Sequence, residues 1–343
     1  MKIFKYLLFL ILILIIGTSI YVATQKGGFQ LEESRLIDAP QEVVYNEVND
    51  FKNWNNWEPW SGEAEDITTN YGDTTSGKNA FYSWNSESMD NGKISTTQAN
   101  PFSSIQQEIT IQTTFGKSTS QINWKFEETE NGTLVTWAMK GKQSFLEKAA
   151  FMLRDKSIAE IMRPKFIQSL EDMDASIEEK MNVYFINVDG VTQHGGGYYM
   201  YTTTASKTSQ IDENMNNMIH DIAAYMNKNN IERTGKPFVL YNEWNEENNS
   251  AIFSAAYFMP SEVITPAESP VLTGYMPNQR VVKTTLKGNH DNLQEAWDQT
   301  YAYIQENDLT LAEGAKTFEV YNIGPDENKN PAKWITSIYI PVQ

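Results

Sequence analysis

The residue best placed for chemistry is Glu319, in "KTFEVYN" (316–322). An earlier stretch, "KPFVLYN" (236–242), repeats its frame: Phe238 matches Phe318, Tyr241 matches Tyr321 and Asn242 matches Asn322. At the fourth position the frame breaks, because Glu319 stands where the earlier copy has Val239. Strand alternation puts Glu319 and Tyr321 on one face and Phe318 and Val320 on the other. A carboxylate that replaces an apolar twin is either a pocket acid or an ordinary solvated side chain, and the pattern leaves both open. As a pocket acid it has two uses. It anchors a cationic or polar ligand, or, with its pKa raised by apolar surroundings, it activates water as a general base.

Other chemistry finds little support. There is no cysteine, which removes disulfides, thiolate catalysis and zinc–sulfur sites. The three histidines, His194, His220 and His290, are far apart and lack metal-ligand spacing, so no metal and no cofactor is expected. "HGGG" (194–197) looks like an esterase oxyanion loop, but the chain has no G-x-S-x-G to supply a nucleophile. The formal charge of −17 repels phosphate backbones, which argues against a nucleic-acid partner. The acidic run "GEAED" (62–66) reads as a solvated loop.

The elements around Glu319 also come in duplicate. Helical spacing of apolar residues runs from about Asp212 to Asn229 (Met215, Met218, Ile219, Ile222, Met226) and from about Asn289 to Asn307 (Leu293, Trp297, Tyr301, Ile304). Strand-like text precedes each helix, and "AAYFMPSE" (255–262) answers "SIYIPVQ" (337–343). Residues 181–343 are therefore strand, strand, helix, strand, strand, twice over. Two such units predict one antiparallel sheet with a pseudo-twofold axis.

"FEVYNIGPDENKNPAKWITSIYIPV" resembles the end of the GyrI-like effector-binding domain, also found attached to bacterial AraC-type and MerR-type regulators. The likeness is carried by Phe318, Glu319, Tyr321, Pro325, Thr336, Ile338, Tyr339, Ile340, Pro341 and Val342. It implies a groove at the seam of the two halves, lined by aromatics, with Glu319 receiving cationic or polar ligands. Candidate wall residues are Trp297, Tyr301, Tyr275 and Trp334, beside Tyr321. A helical stripe such as Trp297–Tyr301 serves core packing equally well. Some stand-alone proteins resembling this domain are hydrolases that use the groove glutamate, which keeps a Glu319-based hydrolase as the alternative.

Residues 34–180 read as strand, short helix, several antiparallel strands and a long amphipathic helix from about Lys156 to Lys180 with Pro164 inside it. "IDAPQEVVYNEVNDFKNWNNWEPW" opens the unit with Asp50, Trp54 and Trp57 in the spacing D-x-x-x-W-x-x-W. This resembles the START-like, polyketide-cyclase (SRPBCC) helix-grip family, whose curved sheet wraps a long helix around a cavity for a hydrophobic ligand. Trp54 and Trp57 are expected in the core, and Trp60 at the cavity mouth. Glu58, Glu63, Glu65 and Asp66 argue against placing this stretch on an anionic membrane.

Residues 1–33 are expected to be a transmembrane anchor, through residues 6–25, with a tether over 27–34. Lys2 and Lys5 are followed by no charge until Lys26, long enough for the bilayer core. The charge bias keeps the N-terminus cytoplasmic and puts the domains outside. A cleaved signal peptide is the rival reading. The whole predicts an α+β, membrane-anchored protein that binds or senses small molecules through two modules. A scaffold whose cavities are filled by side chains is the third reading, and no helix-turn-helix suggests a transcription factor.

Overall fold

The computed structural model describes residues 2–60, 66–152 and 154–343. The chain forms two compact units, Met1–Glu179 and Lys180–Gln343. Both are α+β with antiparallel sheets.

The first unit starts with α1 (Lys2–Thr24), apolar almost throughout and largely exposed. Next come β1 (Gly28–Ile37) and α2 (Gln41–Asn49), which Pro40 precedes with φ −59°, a geometry suited to helix entry. A 3₁₀ turn, Phe51–Asn56, follows, its first donors met by the Asp50 side chain, which accepts from the Lys52 N–H. Six more strands complete the sheet: β2 (Thr68–Tyr71), β3 (Phe81–Asn85), β4 (Asn91–Asn100), β5 (Ser104–Thr113), β6 (Gly116–Thr129) and β7 (Gly132–Lys142). The sheet order is β1-β7-β6-β5-β4-β3-β2. Gly132 is obligatory at the β6–β7 turn, because its φ is 111° and a Cβ there would run into the Ile37 carbonyl. Two helices close the unit, α3 (Phe145–Phe151) and α4 (Ile158–Met181). α4 runs through Pro164 unbroken and buries Phe166, Leu170, Met173 and Ile177.

Trp54 and Trp57 are buried where α2 meets the sheet. Their rings lie 4.8 Å apart, and Trp124 stacks on Trp137 at 4.4 Å, which stacks on Phe166 of α4 at 3.8 Å. Two of the indole N–H groups are satisfied locally: Trp54 donates to the Val48 carbonyl at 2.9 Å and Trp57 to Glu47 at 3.1 Å.

Two sequence expectations change here, and one falls outside the described residues. The tether over 27–34 is strand, since β1 pairs with β7 from Gly28 onward. Helix α3 was not anticipated: its seven residues are too few for a periodic signal, though Ser144 and Glu147 form a capping box that marks its start. Glu63 and Glu65, with most of "GEAED", lie outside the described residues.

The second unit follows the predicted duplication. Its first half is β8 (Phe185–His194), β9 (Gly197–Lys207), α5 (Ile211–Lys228), β10 (Thr234–Asn245) and β11 (Ser250–Met259). Its second half is β12 (Leu272–Met276), β13 (Gln279–Lys287), α6 (Leu293–Glu306), β14 (Phe318–Ile323) and β15 (Ile335–Pro341). All eight strands form one sheet, β12-β9-β11-β10-β14-β15-β13-β8. The order is symmetric about the β10–β14 seam, and each unit's first strand sits at the edge of the other half. β8 pairs with β13, and β12 pairs with β9. α5 closes a core with Met215, Ile219, Ile222 and Met226, and α6 closes another with Ala296 and Ile304. At the seam the opposite face of the sheet carries its own cluster, centred on Phe238, Leu240 and Phe318.

Candidate functional site

β10 and β14 meet at three residue pairs, Phe238–Val320, Val239–Glu319 and Leu240–Phe318. The twins Val239 and Glu319 are therefore cross-strand partners on the axis itself. Alternation turns both toward α5 and α6. Glu319 is 1% exposed there, so its charge sits in a poorly hydrated place.

Three donors hold that carboxylate. Tyr321 donates to Oε2 at 2.6 Å and Tyr241 to the same oxygen at 3.0 Å. Trp297, reaching down from α6, donates its indole N–H to Oε1 at 2.5 Å. Burial raises the Glu319 pKa above the usual carboxylate range; the three hydrogen bonds oppose that rise, and the charge of Asp212 adds to it. The Tyr241 and Tyr321 hydroxyls are pushed well above the ordinary phenol range, by burial first and then by the Glu319 charge, so both remain donors.

Above Glu319 lies a cavity of about 460 Å³ between the N-terminal ends of α5 and α6 and the strand β10. Trp297 and Tyr301, one turn apart on α6, make one wall with rings 6.1 Å apart and nearly parallel. Tyr241 and Trp244 make the other, with centroids 5.8 Å apart. Asp212, Glu246, Asp298 and Glu319 all line the cavity, and its described lining contains no lysine or arginine. A bulge between Tyr241 and Glu243 resets the alternation of β10, which brings Trp244 rather than Glu243 to this face. β14 carries the matching irregularity between Tyr321 and Ile323.

The structure brings Glu319, Trp297 and Tyr301 together as lining residues. Tyr321 sits behind them, buried, as a donor to Glu319. Two expected wall residues lie elsewhere. Tyr275 is on edge strand β12, which the strand exchange carries to the far side of the sheet; it is 60% exposed and packs on Tyr198. Trp334 supports the loop before β15, donating to the Asn328 carbonyl at 2.7 Å and packing on His290. Sequence reasoning missed Tyr241, Trp244, Asp212, Glu246 and Asp298. Tyr241 was within reach, being the twin of Tyr321.

The first unit has a cavity of its own, about 340 Å³, between the sheet and helices α3 and α4. Ile109, Ile111, Met139, Phe151, Ile161 and Met162 give it an apolar lining. Trp60 lines it as well, 6% exposed, and its indole N–H has no hydrogen-bond partner among the described residues.

Comparison with known proteins supports both domains. Residues 28–178 match the family model described as polyketide cyclase / dehydrase and lipid transport. Residues 179–343 match the GyrI-like small molecule binding domain. Both resemblances stated from the sequence hold, and both concern small molecules or lipids. No curated protein matches the chain. Among solved structures, the EcmrR C-terminal domain is 18% identical, covers 47% of this chain and 98% of its own, and gives a TM-score of 0.39. The EcmrR–DNA complex gives 16% identity, 59% and 78% coverage and a TM-score of 0.40. A crystal structure of a Chromobacterium violaceum protein gives 14% identity, 43% and 96% coverage and a TM-score of 0.34.

Proposed function

We propose that this tandem of a polyketide cyclase-type domain and a GyrI-like domain is a membrane-anchored protein that binds or senses small molecules. The second domain takes an amphipathic cation and the first an apolar ligand. The observation that carries this reading is the seam cavity, with four carboxylates and four aromatic rings and no basic side chain in its described lining. Its volume suits a small organic ligand. Aromatic faces attract a cation by about 0.5–2 kcal/mol each, more when the site is desolvated. Once ionised, Glu319 supplies a negative charge at the floor, where the field is least screened by water.

The same geometry weighs against Glu319 as a general base. Three donors already occupy its oxygens and it is 1% exposed, which leaves little access for the water that a base must activate. α1 supports the anchor. Ile3–Thr24 is apolar and, at about 1.5 Å per residue, spans the roughly 30 Å hydrocarbon core. Lys148 of α3 donates to the carbonyls of Ala23 and Gln25 at the end of α1, a contact that a retained segment would keep. Lys2 and Lys5 at its start outnumber Lys26 after it, a bias that keeps the N-terminus on the cytoplasmic side and the domains outside.

The test is calorimetric titration of the full chain with tetraphenylphosphonium, beside Glu319→Gln. Wild type should bind at least about tenfold more tightly, since a unit negative charge about 8 Å from the phosphonium contributes roughly 2 kcal/mol at an effective dielectric constant of about 20. Equal affinities would sink the assignment.

A further inference from the structure

We propose that α3 is a bilayer-docking helix and that the cavity of the first domain is filled from the membrane past it. The proposal rests on α1 being a retained anchor.

The two faces of α3 look in opposite directions. Phe145 and Ala149, one turn apart, share a groove with Ile11, Leu14, Ile15 and Thr18 of α1. Glu147 and Phe151, also one turn apart, line the domain's cavity instead. Positions two residues apart lie on nearly opposite sides of a helix, so α3 is a partition one helix thick between the anchor and the cavity.

Its height relative to the membrane follows from α1. The Lys148 ammonium donates to the carbonyls of Ala23 at 3.4 Å and Gln25 at 3.2 Å, closing the end of the span. The groove that Phe145 shares with α1 runs from Ile11 to Val22, roughly 3–20 Å from Thr24 at the helical rise. Most of that range lies at hydrocarbon depth. Phe145 is 44% and Leu146 55% exposed, and Phe115, at the tip of the β5–β6 hairpin, is exposed and lines the same cavity as Glu147 and Phe151. Such a patch is costly in water and favourable in lipid.

The surrounding charge agrees. Residues 140–157 carry five basic side chains against two acidic ones, in a chain whose formal charge is −17. Each such cation near an anionic leaflet contributes about 1 kcal/mol of attraction. Inside the cavity, the Trp60 N–H has no acceptor among the described residues, and the apolar lining is interrupted by Asp90, Glu147 and Arg154. The ligand that fits is an apolar chain with a carbonyl or carboxylate oxygen, which is how a fatty acid or a single-chain lipid is built.

Because the chain has no cysteine, single cysteines can be introduced and spin-labelled in the full-length protein. In vesicles of phosphatidylcholine and phosphatidylglycerol at about 3:1, chosen to supply the anionic headgroups the basic segment would meet, labels at Leu146→Cys and Leu10→Cys should be relaxed by oxygen in preference to a nickel chelate. A label at Asn131→Cys, in the β6–β7 turn, should show the reverse. An aqueous signal at 146 with a bilayer signal at 10 overturns the docking and leaves the anchor standing. An aqueous signal at 10 overturns the anchor and the docking with it. The route is tested with oleate in the same vesicles, counting bound oleate by native mass spectrometry. Phe145→Asp with Leu146→Asp, both exposed positions, should lower occupancy several-fold, and unchanged occupancy overturns the route past α3.

Discussion

Val239 and Glu319 hold the same place in the two copies of one repeat, and the axis makes them neighbours as well as counterparts. The first half spends this position on its core: Val239 is fully buried with Met215 and Ile222 of α5. The second half puts a carboxylate there and surrounds it with Tyr241, Tyr321 and Trp297. Tyr241 belongs to the first half and Tyr321 and Trp297 to the second, so the acid of one copy is held by both. On a symmetry axis a residue faces its own twin, and a duplicated acid there would face another acid. Divergence at this one pair allows a single charge where symmetry would impose two or none.

The strongest way to break that comparison is to restore symmetry with charge. Val239→Glu would set two carboxylates face to face out of water, with an expected cost of about 3–5 kcal/mol. Calorimetry should show the melting temperature falling by roughly 10 °C. An unchanged melt would mean that the two positions do not share one environment.

Restoring symmetry without charge is the next test. Glu319→Val leaves two hydroxyls and an indole N–H without their acceptor, at about 1–3 kcal/mol for each group that stays buried. Glu319→Gln keeps an acceptor and should cost less. Chemical denaturation of the two variants should rank them in that order.

The pH dependence sharpens the contrast further, because Val239 cannot titrate. Glu319 has a folded-state pKa above its unfolded value, so the folded state favours its protonated form. Its contribution to stability is therefore fullest below the unfolded pKa and is lost as pH rises through the raised value. The difference in melting temperature between wild type and Glu319→Gln should move against wild type over that window. Tetraphenylphosphonium binding should run the other way, strengthening as Glu319 ionises.

The smallest effect is expected at Tyr275. Tyr275→Ala should leave cation affinity within about twofold, since the exposed edge of β12 is remote from the seam and substitutions away from packed sites are usually near neutral. A larger loss would restore Tyr275 to the site.

The sequence made the repeat, and with it the seam, readable through Phe238–Phe318 and Tyr241–Tyr321. Glu319 stood out only against that repeated frame. Trp297 and Tyr301 followed from helical spacing, but spacing does not say which side of α6 faces a core. In the structure Ala296, Thr300 and Ile304 take that side and the two aromatics face the cavity. Trp244 was hidden by a bulge, which local alternation cannot anticipate. Tyr275 was misplaced because nothing local in β12 says that it joins the opposite half. Trp54 and Trp57 are core as expected, and Trp60 lines the first cavity.

That exchange of first strands also sets a timetable for synthesis. The partner of β8 is β13, so Phe185 must wait for Lys287 before it can pair. At roughly 5–20 residues per second the interval lasts several seconds, during which β8 has no place in a sheet. Its Phe185 and Val191 remain exposed even in the finished fold. An unpaired apolar strand invites pairing with other chains. The newborn second domain therefore needs shielding until β13 is made, and a chain truncated after β11 should aggregate rather than fold as half a domain.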